Sequence, residues 1–398
     1  MDLRASTCDS DSIEGYRILP LAAIYGANAS GKSNLYCAFE YMSEYVVYSF
    51  AYGDGMKDYK NHAPTPFLFD AETANKESAF EVYFSVSNND TEVIYNYGFC
   101  VDSNRITEEW LNKRNSGCEE SSMVFYRGGE DNELDLTGLP IESRKNIKIA
   151  LEPQVLVVSL GAKLKVDECK VIRDWFLANE FTDFGNPLSN YVLSHKLPDG
   201  FIGDKEIQSD VIRYFSSFDN HIRSFKIEEV ASKDDQTDKI YKISTLHKIK
   251  GSDKMAELPL SSESAGTLKM FALYPELKSV LDKGGVFFID ELNARLHPLL
   301  VRCFLQIFLN PVVNENHAQL IFTTHDAWQL YDHLLKKDEI WFIEKDSEGR
   351  SELYSLGDFS ETNSTRYGED YLHGKFGGIP VLDNIVLSRK TSEHLKKG

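Results

Sequence analysis

The stretch that most constrains this chain is Gly26-Ala27-Asn28-Ala29-Ser30-Gly31-Lys32-Ser33. It matches the phosphate-binding pattern G-x-x-x-x-G-K-[ST]. In that pattern glycines let successive backbone N–H groups curl around phosphates, a lysine meets the β/γ charge, and a hydroxyl ligates Mg2+. Lys32 and Ser33 take the last two roles, and Asn34 follows at the start of a helix. The context agrees with the motif. An apolar run, Leu19 to Tyr25, leads in as a strand, and Leu35, Phe39, Met42 and Val46 then recur at helical spacing. The loop amides therefore fall at a helix N-terminus, where anions are stabilised.

A chain of 398 residues has the length for one extended α/β domain with insertions, or for two lobes. Its formal net charge of −19 opposes non-specific attraction to nucleic acid or anionic membrane, so nucleic-acid binding is not indicated. The basic groups Arg144 to Lys148, Lys239 to Lys254, and Arg389, Lys390, Lys396 and Lys397 read as solvated faces or tail. The six cysteines (Cys8, Cys37, Cys100, Cys118, Cys169 and Cys303) show no zinc spacing, and reduced thiols are expected. No apolar run reaches membrane-spanning length, and the polar start has no signal-peptide core. A soluble cytoplasmic protein is the expectation.

The chain divides, on this reading, into an N-terminal lobe at 1–142, a helical insertion at 143–221, a second lobe at 222–345 and an extension at 346–398. In the first lobe the Gly-, Asp- and Pro-rich stretch Tyr52 to Pro66 reads as a loop covering the nucleotide. Alternating residues from Phe80 to Phe99, with Ser87-Asn88-Asn89-Asp90 between the runs, predict a hairpin. Strands continue to about Tyr126 as an antiparallel meander. Helical spacing dominates from Arg144 to Phe218, interrupted between Asn186 and Gly203. Strand-like text resumes over Ile222 to Ile249, with a charged turn at Ser232 to Asp238.

Three later segments carry chemistry. Gly284 to Glu291 is a buried-strand run ending in two carboxylates, a Walker B pattern. Asp290 is placed to hold Mg2+ and Glu291 to polarise an attacking water. The run Gln319 to Thr324 ends in His325-Asp326, where a histidine can bond a γ-phosphate and sense its loss. Ser264, Gly266 and Thr267 open an apolar helix whose start offers a second anion site, although the same residues are ordinary N-cap composition. Pro275 is expected to kink or interrupt that helix.

Taken in order, the P-loop, Ser264 to Thr267, Asp290-Glu291 and His325 resemble the ATP-binding-cassette class of P-loop ATPases. More closely, Ala22 to Leu35, Asp290 to Val301, Ala318 to Asp326 and Tyr371 to Pro380 are similar to RloA/AbiLii-type ATPases of bacterial abortive infection, relatives of the OLD and SMC ATPases. That resemblance covers most of the chain. It implies an ABC/SMC-like α/β P-loop fold with a meander and a helical insertion, ATP and Mg2+ as cofactors, and a head-to-tail homodimer. In such a dimer the Ser264 segment of one subunit completes the site of the other. It further implies that Leu292 to His297 forms a D-loop, with Arg295 or His297 reaching the opposite site. Phage defence through a separately encoded, Toprim-like effector is implied as well.

Two departures stand beside it. Only 25 residues precede Gly26 where the class begins with a strand pair, which leaves the adenine contacts unassigned. No glutamine lies between the P-loop helix and the meander to serve as a Q-loop, and Gln154 falls much later. Competing readings are a DNA-clamping repair ATPase, a transporter-associated ATPase, and a module that holds ATP without turnover. The acidic charge, the large insertion and the intact Lys32, Asp290, Glu291 and His325 weigh against them in turn. No nuclease motif is visible, and His297, His317 and His333 are too scattered for a metal site.

Overall fold

The computed structural model describes residues 1–4, 18–53, 63–88, 91–129, 133–188, 196–216, 221–230, 240–331, 333–359 and 366–380. Arg4 bridges Ile18 antiparallel, and the chain then enters β1 (Leu21–Tyr25), which is buried throughout. After the P-loop comes α1 (Lys32–Tyr48). The meander follows as β2 (Ser78–Asn88), β3 (Thr91–Val101), β4 (Ile106–Asn115), β5 (Ser122–Gly128) and β6 (Glu133–Asp135), a five-stranded antiparallel sheet in sequence order. Helices α2 (Ile141–Ala150), α3 (Val157–Lys163) and α4 (Asp167–Leu177) cover it, and β7 (Glu180–Asp183) comes next.

The second half begins with α5 (Lys205–Ser216) and a three-stranded antiparallel sheet of β8 (Ile222–Val230), β9 (Ile240–Lys248) and β10 (Met255–Pro259). Then come α6 (Ala265–Lys283), β11 (Val286–Asp290), α7 (Pro298–Leu309), β12 (Gln319–Thr324) and α8 (Trp328–Tyr331). The described chain ends with β13 (Ile340–Lys345), β14 (Ser351–Ser355) and α9 (Tyr367–Leu372). The central sheet runs β14-β13-β1-β12-β11-β7, with every pair parallel except the edge strand β14. Its inner strands are apolar on both faces because helices cover both sides.

This is the expected α/β class with an antiparallel meander, and two local expectations change. The stretch read as helical from Arg144 to Phe218 contains β7, which pairs in parallel with β11 and brings Asp183 level with Asp290. Four residues are too few to show a period, so only the partner strand defines this element. The helix carrying Pro275 is not interrupted: α6 runs continuously from Ala265 to Lys283. Phe271, Leu277 and Val280 bury both halves in the main core, so packing outweighs the local cost of the proline. Parts of the covering loop at 54–62, the turn at 89–90, the charged turn at 232–238 and the basic tail lie outside the described residues.

Helix α1 joins two cores. Its Tyr36 and Phe39 meet Phe181 and Phe288 of the central sheet, while Tyr45 stacks on Phe99 of the meander. The meander core also takes in Val157, Val158, Ile172 and Phe176 from α3 and α4. Within it, the fully buried Glu109 accepts hydrogen bonds from the amides of Val157 (2.7 Å) and Val158 (3.1 Å) and from the Tyr97 hydroxyl (3.1 Å). It thereby satisfies the free donors at the start of α3.

Burial pushes the Glu109 carboxyl up to about 7, against the pull of Arg127, the two amides and Tyr97. The folded chain then keeps a proton that the unfolded chain, with its ordinary value of 4.5, releases. This contribution is full below the ordinary value and is lost as pH rises through about 7. Urea unfolding between about pH 5 and pH 8 should show that decline in the wild type and a flatter profile in Glu109→Gln. The variant should also be about 1–2 kcal/mol less stable, because Val157 and Val158 donate to different oxygens and the NH2 that replaces one of them cannot accept. Parallel pH profiles for the two proteins would contradict the assignment.

Candidate nucleotide site

The P-loop owes its shape to two positive-φ residues, Ala29 at 61° and Gly31 at 112°. Gly31 caps α1 in a left-handed conformation, and a Cβ there would collide with Ser351 Oγ. Gly26 is required for a different reason: a Cβ on it would lie 2.6 Å from the Ile343 carbonyl oxygen. The β13–β14 hairpin thus braces the loop from behind, and Ser351 Oγ donates to the Ser30 carbonyl at 2.7 Å. Ser30 Oγ is buried with no hydrogen-bond partner among the described residues.

Asn28, Ala29, Gly31, Lys32, Ser33 and Asn34 line one cavity of about 390 Å³, and Glu291 and Lys345 complete its wall. Lys32 Nζ donates to the carbonyls of Gly26 (2.8 Å) and Ala27 (2.9 Å). Burial holds this ammonium below the ordinary lysine range, while Asp290 and Glu291 pull it back up.

Parallel pairing of β11 with β12, and of β12 with β1, delivers the Walker B carboxylates beside the loop. Asp290, 2% exposed, accepts from Ser33 Oγ at 2.6 Å through Oδ2 and from Thr323 Oγ1 through Oδ1. Thr323 Oγ1 also accepts from the Glu291 amide at 2.9 Å, and Glu291 adopts a φ of 54° that turns the chain sharply after the strand. Asp183 lies alongside. Its Oδ1 accepts from the amides of Gly185 (2.7 Å) and Asn186 (3.1 Å), while burial and the charge of Asp290 raise its carboxyl.

Among the described residues no group of three or more His, Cys, Asp or Glu side chains could hold a metal on its own. The hydroxyl and carboxylate of Ser33 and Asp290 nevertheless suit Mg2+, which takes its remaining oxygens from phosphate and water.

Other sequence-derived candidates fall outside this cavity. His325, exposed at the end of β12, lies 3.3 Å from Asn293 Nδ2 through Nε2, and Asn293 Oδ1 accepts from Thr324 Oγ1 at 2.9 Å. Ser264 is the N-cap of α6, with its Oγ accepting from the Thr267 amide at 3.1 Å and 2.8 Å from Thr267 Oγ1. Gly266 faces Leu300 and the Arg295 carbonyl rather than the P-loop. Ser264, Gly266 and Thr267 are not among the residues that line the cavity beside the P-loop. His297 accepts from the Leu299 amide through Nδ1 and caps α7.

Sequence reasoning missed Asp183, Thr323, Lys345 and Lys269. Lys345 carried a faint signal, the second of two charges, after Glu344, that follow the apolar run Ile340 to Ile343. The others had none that spacing could expose. Lys269, on α6, is 8% exposed and places its ammonium 3.5 Å from the Phe184 ring centroid. Burial pushes it down to about 7, with Glu291 raising and Arg295 lowering the value.

Comparison with known proteins agrees with this layout. A family described as AAA domain, putative AbiEii toxin, Type IV TA system, matches residues 21–160 and 196–327. No curated protein matches at a significant level. The family match takes in the P-loop, the meander and the strands that carry Asp290 and His325. More than half of the chain lies within it, and the chain belongs to this AAA-domain family of P-loop ATPases.

Proposed function

We propose that this protein hydrolyses ATP in a head-to-tail homodimer, and that the open and closed states of the dimer control a separately encoded anti-phage effector. One observation carries the catalytic part. Ser33 Oγ and Asp290 Oδ2, 257 positions apart in sequence, lie 2.6 Å from each other, and Ser33 lines a cavity that Lys32 and Glu291 also line. P-loop amides from Gly26 to Asn34 and Lys32 hold the phosphates. Ser33 and Asp290 hold Mg2+, which when bound supplies charge neutralisation on the transferred phosphoryl group. Glu291 takes the proton of the attacking water; His325, outside the cavity of the single chain, is given the γ-phosphate by the order of its motif behind Asp290-Glu291.

Assembly in a dimer is supported by the position of Ser264, Gly266 and Thr267, which offer a helix start to an anion but are not among the residues that line the P-loop cavity of the same chain. Differential contacts of ATP and ADP with that second surface would shift the equilibrium between the two states. The effector belongs to the reading through the resemblance to abortive-infection ATPases and through the toxin–antitoxin wording of the family description. A cytoplasmic location fits that role. Among the described residues no helix is long and apolar enough to cross a membrane.

The mass of the purified protein in ATP–Mg2+ and in ADP, with and without the product of the adjacent gene, tests the reading. A dimer in ATP that carries the neighbour's product, reverting toward monomer in ADP, is expected. A monomer that ignores both nucleotide and neighbour would overturn it.

A further inference from the structure

Lys269 presents an unusual choice for a buried position. Removing an ammonium from water costs several kcal/mol, and a lysine retained at such a site needs strong local partners. Among the described residues none of its partners is a carboxylate ion pair. Its Nζ donates to the carbonyls of Leu292 (2.9 Å) and Ala294 (2.7 Å), over the face of Phe184.

Each partner leads directly to the nucleotide cavity. Leu292 and Ala294 belong to the turn that follows Glu291: the Ala294 amide donates to the Glu291 carbonyl at 2.9 Å, and the Leu292 amide to the Thr323 carbonyl at 3.2 Å. Phe184 follows Asp183, and its amide donates to the Asp290 carbonyl at 3.1 Å. Lys269 itself lies on α6, two positions beyond Thr267 and five beyond the Ser264 cap. Gly266 faces the carbonyl of Arg295 at the far end of the same turn. One ammonium thus ties the start of α6 to the two segments that leave Asp183 and Asp290-Glu291.

A shift of the Glu291 backbone on arrival of a γ-phosphate would pass to the Leu292 and Ala294 carbonyls through the turn closed by the Ala294 amide on the Glu291 carbonyl. Lys269 connects those carbonyls directly to α6. We infer that Lys269 is a positioning residue that relays occupancy of the P-loop cavity to the start of α6, setting the orientation in which Ser264, Gly266 and Thr267 are presented to a second subunit. The inference rests on the ATP-site reading. A lysine that only fastened the turn would also be held by two carbonyls, so the test must read coupling rather than stability.

The test is amide hydrogen exchange on the full chain with a non-hydrolysable ATP analogue and Mg2+, at a concentration where the mass remains that of a monomer. In the wild type the analogue should slow exchange across 26–33 and, by about tenfold, across 264–268. In Lys269→Met the slowing at 26–33 should persist and that at 264–268 should vanish. A lysine that merely fastens the turn would, when replaced, speed exchange of 292–297 with or without analogue and leave the analogue's effect on 264–268 intact. Equal slowing of 264–268 in both proteins, or none in the wild type, overturns the relay. Should Lys269→Met fail to fold, Lys269→Gln, whose shorter neutral side chain keeps a donor but not the tie to both carbonyls, is read in the same way, with the same two outcomes. Absence of slowing at 26–33 would instead overturn the ATP-site reading, and the relay with it.

Discussion

Glu291→Gln should lower ATP turnover by about 10²–10⁴-fold while leaving ATP bound, the range expected when a general base loses its ability to take a proton. The substitution preserves shape and removes basicity. Glu291 lines the P-loop cavity, and its backbone is fixed by the bond from its amide to Thr323 and by its left-handed turn. An amide side chain can occupy the same place without displacing Asp290 or Ser33, so affinity should change little. In the proposed dimer the variant should remain assembled around ATP, because the step that releases it is blocked. Single-turnover kinetics paired with retention of a fluorescent ATP analogue would measure both quantities. Unchanged turnover in a protein that stays monomeric would remove Glu291 from its role and leave the dimer unsupported.

Lys32→Met acts on binding instead. The ammonium now satisfies the carbonyls of Gly26 and Ala27, and it is buried close enough to Asp290 and Glu291 to feel both charges. A phosphate entering the cavity would gain a charge-assisted hydrogen bond from it, worth about 1.5–3 kcal/mol, or roughly 10- to 150-fold in affinity. Methionine keeps the length of the stem and loses the charge, and it spares the fold the cost of burying an ammonium. The variant should therefore melt near the wild-type temperature without ligand, and lose most of the rise that ATP–Mg2+ produces. Calorimetry with and without nucleotide separates these effects. An equal ATP-induced rise in both proteins would show that Lys32 does not meet the phosphates.

The parts of the site that spacing could reveal are those set by local rules. The P-loop is legible because its glycines, lysine and serine sit within eight consecutive positions and answer to backbone geometry alone. The strand ending in Asp290-Glu291 is legible because five buried residues in a row need no partner to be identified. Asp183 is hidden for the opposite reason. Its strand is four residues long, follows three helices, and exists only because β11 offers it a parallel edge. Lys269 is hidden because the carbonyls that hold it belong to a turn more than twenty positions later in the chain.

The sequence by itself determined the phosphate cradle, the order of the strand-borne motifs, the meander and the acidic character of the chain, since each depends on neighbouring residues or on simple counting. Only the tertiary structure decided that Ser33 meets Asp290, that Lys345 lines the cavity, and that Ser264, Gly266 and Thr267 do not. Those outcomes follow from the strand order β14-β13-β1-β12-β11-β7, in which sequence-distant strands become neighbours. Strand order is fixed by how helices of given bulk cover both faces of a sheet, a balance of packing over the whole core that no short stretch of residues encodes.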